Sequence, residues 1–265
     1  MAHGDGLRVP LAPHWLASSL APVRAGVATS ARLTVENAGT ATWRSRGREG
    51  VQLSYHWLDP LGNPIVWDGA RTPLPHPVAP GESVELEADV VPPRPPGRYR
   101  LAFDLVEEHR FWFAEVGCSP LDVEVEVEPR IAERRLRAVV HGGGDSETAA
   151  ALEAQEEALV VDEAVAVAHL VAGAVPSPDW SRRVLDAHAE GWAAVGPGIE
   201  ARGLREWAPG GGRNPRFGLP LLLPSLLDGL EPGEHEGLPA YTGGDGLFDG
   251  RIAVRLRPRF GRRRP

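Results

Sequence analysis

Residues 97–127, GRYRLAFDLVEEHRFWFAEVGCSPLDVEVEV, decide the fold of the N-terminal half of the chain. Apolar residues alternate with charged ones over residues 98–105, where Asp104 lies on the charged, solvent-facing side, and again over residues 121–128. Strict period two with one charged face is typical of half-buried strands in an antiparallel sheet. The aromatic turn Phe111-Trp112-Phe113 and a loop of small residues join the two segments. The stretch therefore predicts the closing strand pair of a β-sandwich.

Further alternating segments precede this pair along the chain. Residues 27–36, 51–57 and 84–90 each place apolar side chains on one side and polar side chains on the other. Turns rich in glycine and proline separate them, which is typical of a sandwich of short strands. We therefore predict an extended segment over residues 1–19 and an antiparallel β-sandwich over residues 20–128.

Several turn and core residues of this half carry a resemblance to a known family. They are Asn37-Ala38-Gly39-Thr40, Trp43, Pro80-Gly81-Glu82 and Pro96-Gly97-Arg98-Tyr99. Together they resemble the tryptophan-rich immunoglobulin-like domain of autophagy receptors, whose bacterial relatives are attached to envelope and glycosyltransferase proteins. The resemblance covers about residues 20–128. It implies an immunoglobulin-like interaction or accessory module and no catalytic residue.

The second half alternates predicted strands with predicted helices. After a charged linker at residues 129–137, we expect strands at 138–140, 164–172, 192–195 and 252–256 and helices at 147–158, 178–191 and 221–230. Such alternation indicates an α/β region with some parallel pairing. We assign this region to residues 138–256 and a basic tail to residues 257–265. The predicted fold class is therefore α+β with two domains.

Residues 166–199 carry a second resemblance, to the middle of a family-2-type glycosyltransferase. The matching positions are Pro176, Pro178, Trp180, Val195 and Gly196. In that family a strand ends in two metal-binding aspartates, and the corresponding positions here hold Ala172 and Ala174. Without those carboxylates, nothing at this place holds the divalent ion that bridges the diphosphate of a sugar nucleotide. The resemblance therefore implies a degenerate relative of the enzyme.

The composition excludes several kinds of chemistry. The chain of 265 residues has a net charge of −8, which argues against nucleic acid as a partner. It contains no lysine, so neither a Schiff-base lysine nor a P-loop lysine is available. The single cysteine, Cys118, excludes an internal disulfide and a cysteine metal cluster. We predict no cofactor, no bound metal and no catalytic residue.

No segment has the pattern of a signal peptide or a membrane span. The N-terminal residues lack a basic region followed by an apolar core. The longest apolar stretch, at residues 218–230, is interrupted by Pro220 and Pro224. The sequence therefore predicts no membrane span and a cytoplasmic location.

Acidic and aromatic residues meet in the turn between the two closing strands. A sugar can stack its C–H face on an aromatic ring while carboxylates accept its hydroxyl groups. Glu107, Glu108 and Trp112 are therefore candidate ligand-binding residues. Because adjacent strand residues point to opposite faces, the two glutamates are not expected to flank one glycosidic bond. The alternative interpretation is that Phe111 and Phe113 pack in the core, with Trp112 more exposed.

Asp162 and Asp179 of the second half are further candidate ligand-binding residues. By position, Asp145 and Asp162 are candidate nucleotide contacts, and their alternative roles are those of helix-cap and surface residues. His141 and the glycines at 142–144 suggest either a phosphate-binding loop or a flexible turn from strand to helix. We expect His188 on a solvated helix face, near other charged residues.

Two functions of different classes remain open at this point. The first is a non-catalytic interaction or accessory protein that binds a protein or glycan partner through the sandwich and serves glycan or cell-envelope assembly. The second is a sugar-nucleotide-dependent glycosyltransferase that uses a non-standard site within residues 142–179.

Overall fold

The computed structural model describes residues 10–141, 146–171, 173–195, 231–236 and 238–242. These residues belong to two compact units. The first unit comprises the chain up to residue 24 together with residues 28–128, and the second comprises residues 25–27 and the chain from residue 129.

The described part of the first unit consists of strands and one short 3₁₀ helix, Phe113–Val116. The strands are β1 (Pro13–Leu20), β2 (Thr29–Asn37), β3 (Ser45–Arg46), β4 (Glu49–Leu58), β5 (Pro64–Val66), β6 (Thr72–Pro73), β7 (Ser83–Val90), β8 (Gly97–Glu107), β9 (Phe111–Trp112) and β10 (Leu121–Val127). The smaller sheet has the order β1-β2-β7. The larger sheet has the order β10-β8-β4-β3, with β5 and β6 beside β4 and β9 beside β8. All of these strand pairs are antiparallel.

The inner faces of the two sheets form the core of this unit. Every second residue of β7 is buried, and the same alternation runs through the centre of β2. Trp57, which the pattern places on the inner face of β4, is 0% exposed. Trp43 packs edge-on against Phe113, with ring centroids 5.9 Å apart. Alternating side chains that pack between two sheets are the defining feature of a sandwich, so the predicted fold class is confirmed for this half.

Asn37 fixes the turn that follows β2. Its side chain is buried, and its Nδ2 donates to the carbonyl oxygens of Ala41 (2.8 Å) and Val78 (2.9 Å). Its Oδ1 accepts from the backbone N–H of Gly39 at 3.1 Å. One amide therefore satisfies three backbone groups, and it ties the turn to a neighbouring loop.

Asp104 of β8 is buried, although the alternating pattern places it on the solvent-facing side. Its carboxylate accepts hydrogen bonds from the backbone N–H groups of Leu105 (2.8 Å) and of Ala114 (3.1 Å), which belongs to the 3₁₀ helix. Period two fixes the side of the strand on which a residue lies, but it does not reveal what covers that side. The expectation of a solvated residue at this position is therefore wrong.

The second unit combines a parallel strand pair with helices and a small antiparallel sheet. Its elements are β11 (Leu136–His141), α1 (Ser146–Glu153), β12 (Ala166–Val171), α2 (Trp180–Glu190), β13 (Ala194–Val195), β14 (Glu231–His235) and β15 (Leu238–Thr242). β11 and β12 pair in parallel, and β15 pairs antiparallel with both β13 and β14. Leu136, Leu170, Trp180 and Leu185 are among the core residues. The predicted small α/β region is confirmed.

Helix α1 ends at Glu153, earlier than the expected residue 158. The residues that follow it bind the start of α2 instead of continuing the helix. Gln155 donates from Nε2 to the carbonyl of Ser177 (2.9 Å) and accepts at Oε1 from the N–H of Ser181 (2.9 Å). The Glu156 backbone N–H donates to the Pro178 carbonyl at 2.8 Å instead of to a carbonyl of α1, which accounts for the early end of the helix.

His188 of α2 is buried, so its expected place on a solvated face is wrong. The helix ends at Gly191 in the left-handed conformation, and the chain folds back so that the Trp192 N–H donates to the Ala187 carbonyl at 3.1 Å. The returning chain covers His188, whose Nδ1 donates to the Trp192 carbonyl at 2.9 Å. Burial lowers the pKa of His188 to about 4.

Several sequence predictions concern residues outside the described part of the chain. They are the first nine residues of the extended segment, the glycine-rich loop at 142–144, Asp145, Ala172, Gly196, the helix at 221–230, the strand at 252–256 and the basic tail at 257–265.

Candidate functional site

An aromatic patch lies on the outer face of the larger sheet. We define it by His56, Trp67, Arg71 and Trp112. The His56 ring stacks on Trp67 with centroids 4.2 Å apart, and it meets Trp112 edge-on at 4.3 Å. The Arg71 guanidinium lies over the Trp112 ring, 4.8 Å from its centroid. Cation–π and stacking contacts of this kind hold aromatic rings in defined orientations.

The segment between β5 and β6 places Trp67 on this face. The carbonyl of Trp67 accepts a hydrogen bond from His56 Nδ1. The N–H of Gly69 donates to the Tyr55 carbonyl at 3.0 Å, and Ser54 Oγ donates to the Gly69 carbonyl at 3.1 Å. These bonds hold the segment flat against β4. Trp67 nevertheless remains 51% exposed.

Gly69 permits this close approach because it has no side chain. A Cβ at this position would lie 2.6 Å from the Tyr55 carbonyl oxygen and 2.7 Å from the Tyr55 ring. Real Cβ atoms do not approach other atoms so closely, so any larger residue would push the segment away from β4.

Arg71 links the segment to the rest of the patch. It donates to Ser54 Oγ (2.9 Å), pairs with Asp68 (2.6 Å) and pairs with Glu108. Burial opposes its charge, but hydrogen bonds from the Arg71 guanidinium to Glu108 and Asp68 outweigh that cost and raise the pKa of Arg71. The guanidinium therefore remains charged and holds both carboxylates in place.

His56 contributes a neutral ring to the patch. Burial lowers its pKa below the ordinary value, and the hydrogen bond to the Trp67 carbonyl offsets this only in part. Its other ring nitrogen, Nε2, is buried and has no hydrogen-bond partner among the described residues. An uncharged imidazole between two tryptophans is consistent with this environment.

A groove of 630 Å³ lies beside the patch. The turn between β3 and β4, the segment after β5 and the turn between β8 and β9 enclose it. Its lining residues are Gly47, Arg48, Gln52, Asp68, Gly69, Ala70, Arg71, Pro73, Glu108 and His109. The groove and the patch share Arg71, so they form one continuous surface, which we call the outer-face site.

Two of the five candidate residues from the sequence belong to the outer-face site. Glu108 and Trp112 both contact Arg71 and thus lie in one cluster. Glu107 points elsewhere, and its carboxylate lies 3.9 Å from the guanidinium of Arg110. The neighbouring glutamates therefore have different partners, as expected for adjacent residues at a strand end.

The other two candidates lie in the second unit and do not form a cluster. Asp179 stands at the N-terminus of α2 and accepts from Ser177 Oγ at 2.5 Å. That hydrogen bond, together with the charges of Arg183 and Arg182, lowers the pKa of Asp179. Asp162 is exposed in the bends before β12. Asp162 is therefore a surface residue, and Asp179 lies at a helix end.

Sequence reasoning missed His56, Trp67 and Arg71. Alternation placed His56 on the outer face of β4, but nothing in the pattern showed that two tryptophans would cover it. Trp67 belonged to a short return strand predicted at residues 65–67, and Arg71 preceded the Pro-rich edge at residues 73–77. A tryptophan followed by Asp-Gly beside a strand edge is the one local signal of a tight, exposed aromatic turn.

Among the described residues, no three His, Cys, Asp or Glu side chains are grouped as a metal site. No helix in this part of the chain combines the length and the apolar character that crossing a membrane requires.

No protein-family model matches the chain, and no curated protein matches it either. Among solved structures it is similar to the C-terminal domain of wzt, with 10% identity and a TM-score of 0.29, over 43% of this chain and 72% of that one. It is also similar to the CARDB domain of a Pyrococcus furiosus protein in complex with di-metal ions, with 16% identity and a TM-score of 0.28, over 48% of this chain and 99% of that one. A family 123 glycoside hydrolase from Clostridium perfringens matches with 11% identity and a TM-score of 0.25, over 44% of this chain and 24% of that one.

Proposed function

We propose that this protein is a non-catalytic accessory protein that binds a glycan through the outer-face site and serves glycan or cell-envelope assembly. The observation that carries the proposal is Trp67, which is half-exposed while a stack of aromatic rings and backbone hydrogen bonds hold it in place. A large aromatic ring that is rigid and exposed on a protein surface is typical of a binding residue.

The chemistry around Trp67 suits a sugar. The C–H face of a pyranose ring stacks on an indole, and its hydroxyl groups need both donors and acceptors nearby. Asp68 and Glu108 provide acceptors. Four of the five N–H groups of Arg71 bind Glu108, Ser54, the Gly69 carbonyl and Asp68, and the fifth is available as a donor. A few polar groups beside an aromatic surface are the usual composition of a small-ligand site.

The same geometry argues against hydrolysis at this site. Glycoside hydrolysis needs two carboxyl groups on opposite sides of the scissile bond. Here Arg71 occupies the space between Asp68 and Glu108 and pairs with both. The two carboxylates therefore bind the guanidinium and do not flank a substrate bond.

No described residue of the second unit favours the alternative, a sugar-nucleotide-dependent transferase. Ala174 occupies one of the two positions at which the resembled enzymes carry aspartate, and it is a core residue with 5% exposure. The cytoplasmic location remains a prediction from the sequence.

Retention on a panel of immobilised neutral and acidic glycans tests the proposal directly. We expect the full chain to be retained by at least one glycan, and we expect Trp67→Ala to weaken that binding at least about tenfold because the stacking face is lost. Ile65→Ala is the matched control, since Ile65 is similarly exposed on the neighbouring strand β5. It should leave binding unchanged.

Two results would contradict the proposal. If the panel retains nothing, the outer-face site does not bind a glycan. If Trp67→Ala binds as well as the unmodified chain, the outer-face site is not the binding surface.

A further inference from the structure

The aromatic patch and the groove lie at two positions along the same strand. We propose that the outer-face site binds a linear, uncharged oligosaccharide of several units that runs along β4, with one sugar stacked on Trp67 and another in the groove. This inference rests on the proposed function and names its ligand class.

Trp67, and not Trp112, provides the stacking face. The Arg71 guanidinium lies 4.8 Å from the centroid of the Trp112 ring, and the His56 ring centroid lies 4.3 Å from it. These two side chains therefore already contact the Trp112 ring. One face of the Trp67 ring stacks on His56, and the angle between the two ring planes is only 23°. Half of its surface is exposed, which leaves the opposite face for a ligand.

The separation of the two parts sets the length of the ligand. Gln52 lines the groove and His56 carries Trp67, and both lie on the outer side of β4. They are four residue steps apart on the strand, which corresponds to about 13 Å. The groove itself begins beside Trp67, because Asp68 also lines it. A ligand that extends from Trp67 to the Gln52 end of the groove therefore spans more than one sugar ring and contains more than one unit.

Arg71 connects the two parts. It contacts Ser54, which lies midway between Gln52 and His56 on the same side of the strand. Its guanidinium therefore lies between the stacking face and the Gln52 end of the groove. A continuous ligand would pass over this residue.

The charge of the surface indicates an uncharged ligand. The groove is lined by Arg48 and Arg71 and by Asp68 and Glu108, so its formal charges cancel. Asp68 directly follows Trp67, and its side chain is 69% exposed. An acidic sugar stacked on Trp67 would meet this carboxylate, which repels it.

Calorimetry with a length series tests the inference. The probes are oligomers, from the single unit to the hexamer, of a neutral glycan that the panel retains. We expect affinity for the full chain to rise with length until both parts are filled. Trp67→Ala should weaken every length at least about tenfold, because all lengths use the stacking face.

A groove variant separates the two parts of the site. Arg48→Ala should leave the shortest oligomers unaffected and should weaken the longest about tenfold, because only these reach the groove. Arg46→Ala is the matched control, since Arg46 is exposed on β3 of the same hairpin but does not line the groove. Thermal denaturation of each variant checks that the fold is retained.

The outcomes distinguish this inference from the proposed function. Affinity independent of length, or an equal effect of Arg48→Ala on short and long oligomers, would overturn the extended site while glycan binding itself stands. Tighter binding of acidic than of neutral oligomers of equal length would overturn the assignment to uncharged ligands. Failure of the panel to retain the chain would overturn both proposals.

Discussion

The buried carboxylate of Asp104 makes the stability of the sandwich depend on pH. Burial raises its pKa to about 6, and the backbone N–H groups of Ala114 and Leu105 offset this only in part. The folded-state pKa is higher than the value of an unfolded aspartate, so the folded state favours the protonated form. Asp104 therefore reduces stability progressively as the pH rises from about 4 to about 6.

Replacing Asp104 with asparagine tests this account. Asparagine keeps one side-chain acceptor and cannot ionise. The free energy of unfolding of Asp104→Asn should therefore rise, relative to that of the unmodified chain, as the pH increases. The difference between pH 4.5 and pH 7 should reach at most about 3 kcal/mol. Urea denaturation at the two pH values measures it, and an equal effect at both would show that Asp104 is not a buried titrating group.

The sequence revealed some residues of the candidate site but not others, for physical reasons. Glu108 and Trp112 stood out because acidic and aromatic residues were adjacent in one turn. The pattern placed Asp104 and His56 on the correct side of their strands. Both side chains are nevertheless buried, because segments distant in the chain pack over them. Local periodicity carries no information about such tertiary contacts.

At the scale of elements, the strands with strict alternation were predictable and the segment that builds the site was not. β7 and β10 alternate without interruption, and the pairing of β10 with β8 follows that pattern. In β8 the outer-side residues Ala102, Asp104 and Val106 are buried as well. The segment between β5 and β6 has no such period, because side-chain and backbone hydrogen bonds to β4 hold it instead of a regular ladder. Its position follows from tertiary contacts, and Gly69 makes these possible.

Gly69→Ala tests the role of that segment. The added Cβ would overlap the Tyr55 carbonyl and ring, so the segment must shift, at a cost of about 1–3 kcal/mol in the free energy of unfolding. Glycan binding should weaken as well, because Trp67 moves with the segment. Ala70→Ser, an exposed neighbour with one added atom, is the control for stability and should cost close to nothing. Unchanged stability of Gly69→Ala in thermal denaturation would contradict the close packing of this segment.

At the scale of the whole molecule, the two units differ in the chemistry that their described residues present. The first unit presents the outer-face site, whereas the candidates Asp162 and Asp179 of the second unit are surface residues. The extended segment expected before residue 20 includes β1, which pairs with β2 from Pro13 to Leu20. We propose that the sandwich extends from residue 10 to residue 128 and folds as an independent domain.

Two fragments test this proposal. Residues 10–128 should show one cooperative thermal transition. Residues 20–128 should be less stable by about 2–4 kcal/mol, because β2 loses its cross-strand pairs with β1. The Trp15 indole also loses its hydrogen bond to the Ser119 carbonyl, 3.1 Å long. A non-cooperative transition of the longer fragment would contradict independent folding, and equal stability of the two would show that β1 is dispensable.

Hydroxyl-radical footprinting of the full chain, with and without a glycan that the panel retains, tests the central claim most directly. The account predicts that the glycan protects Trp67 from oxidation, leaves Trp15 of the smaller sheet unaffected, and is recovered chemically unchanged. Protection confined to the second unit, or recovery of a cleaved or extended glycan, would contradict a non-catalytic protein that binds glycans through the outer face of its sandwich.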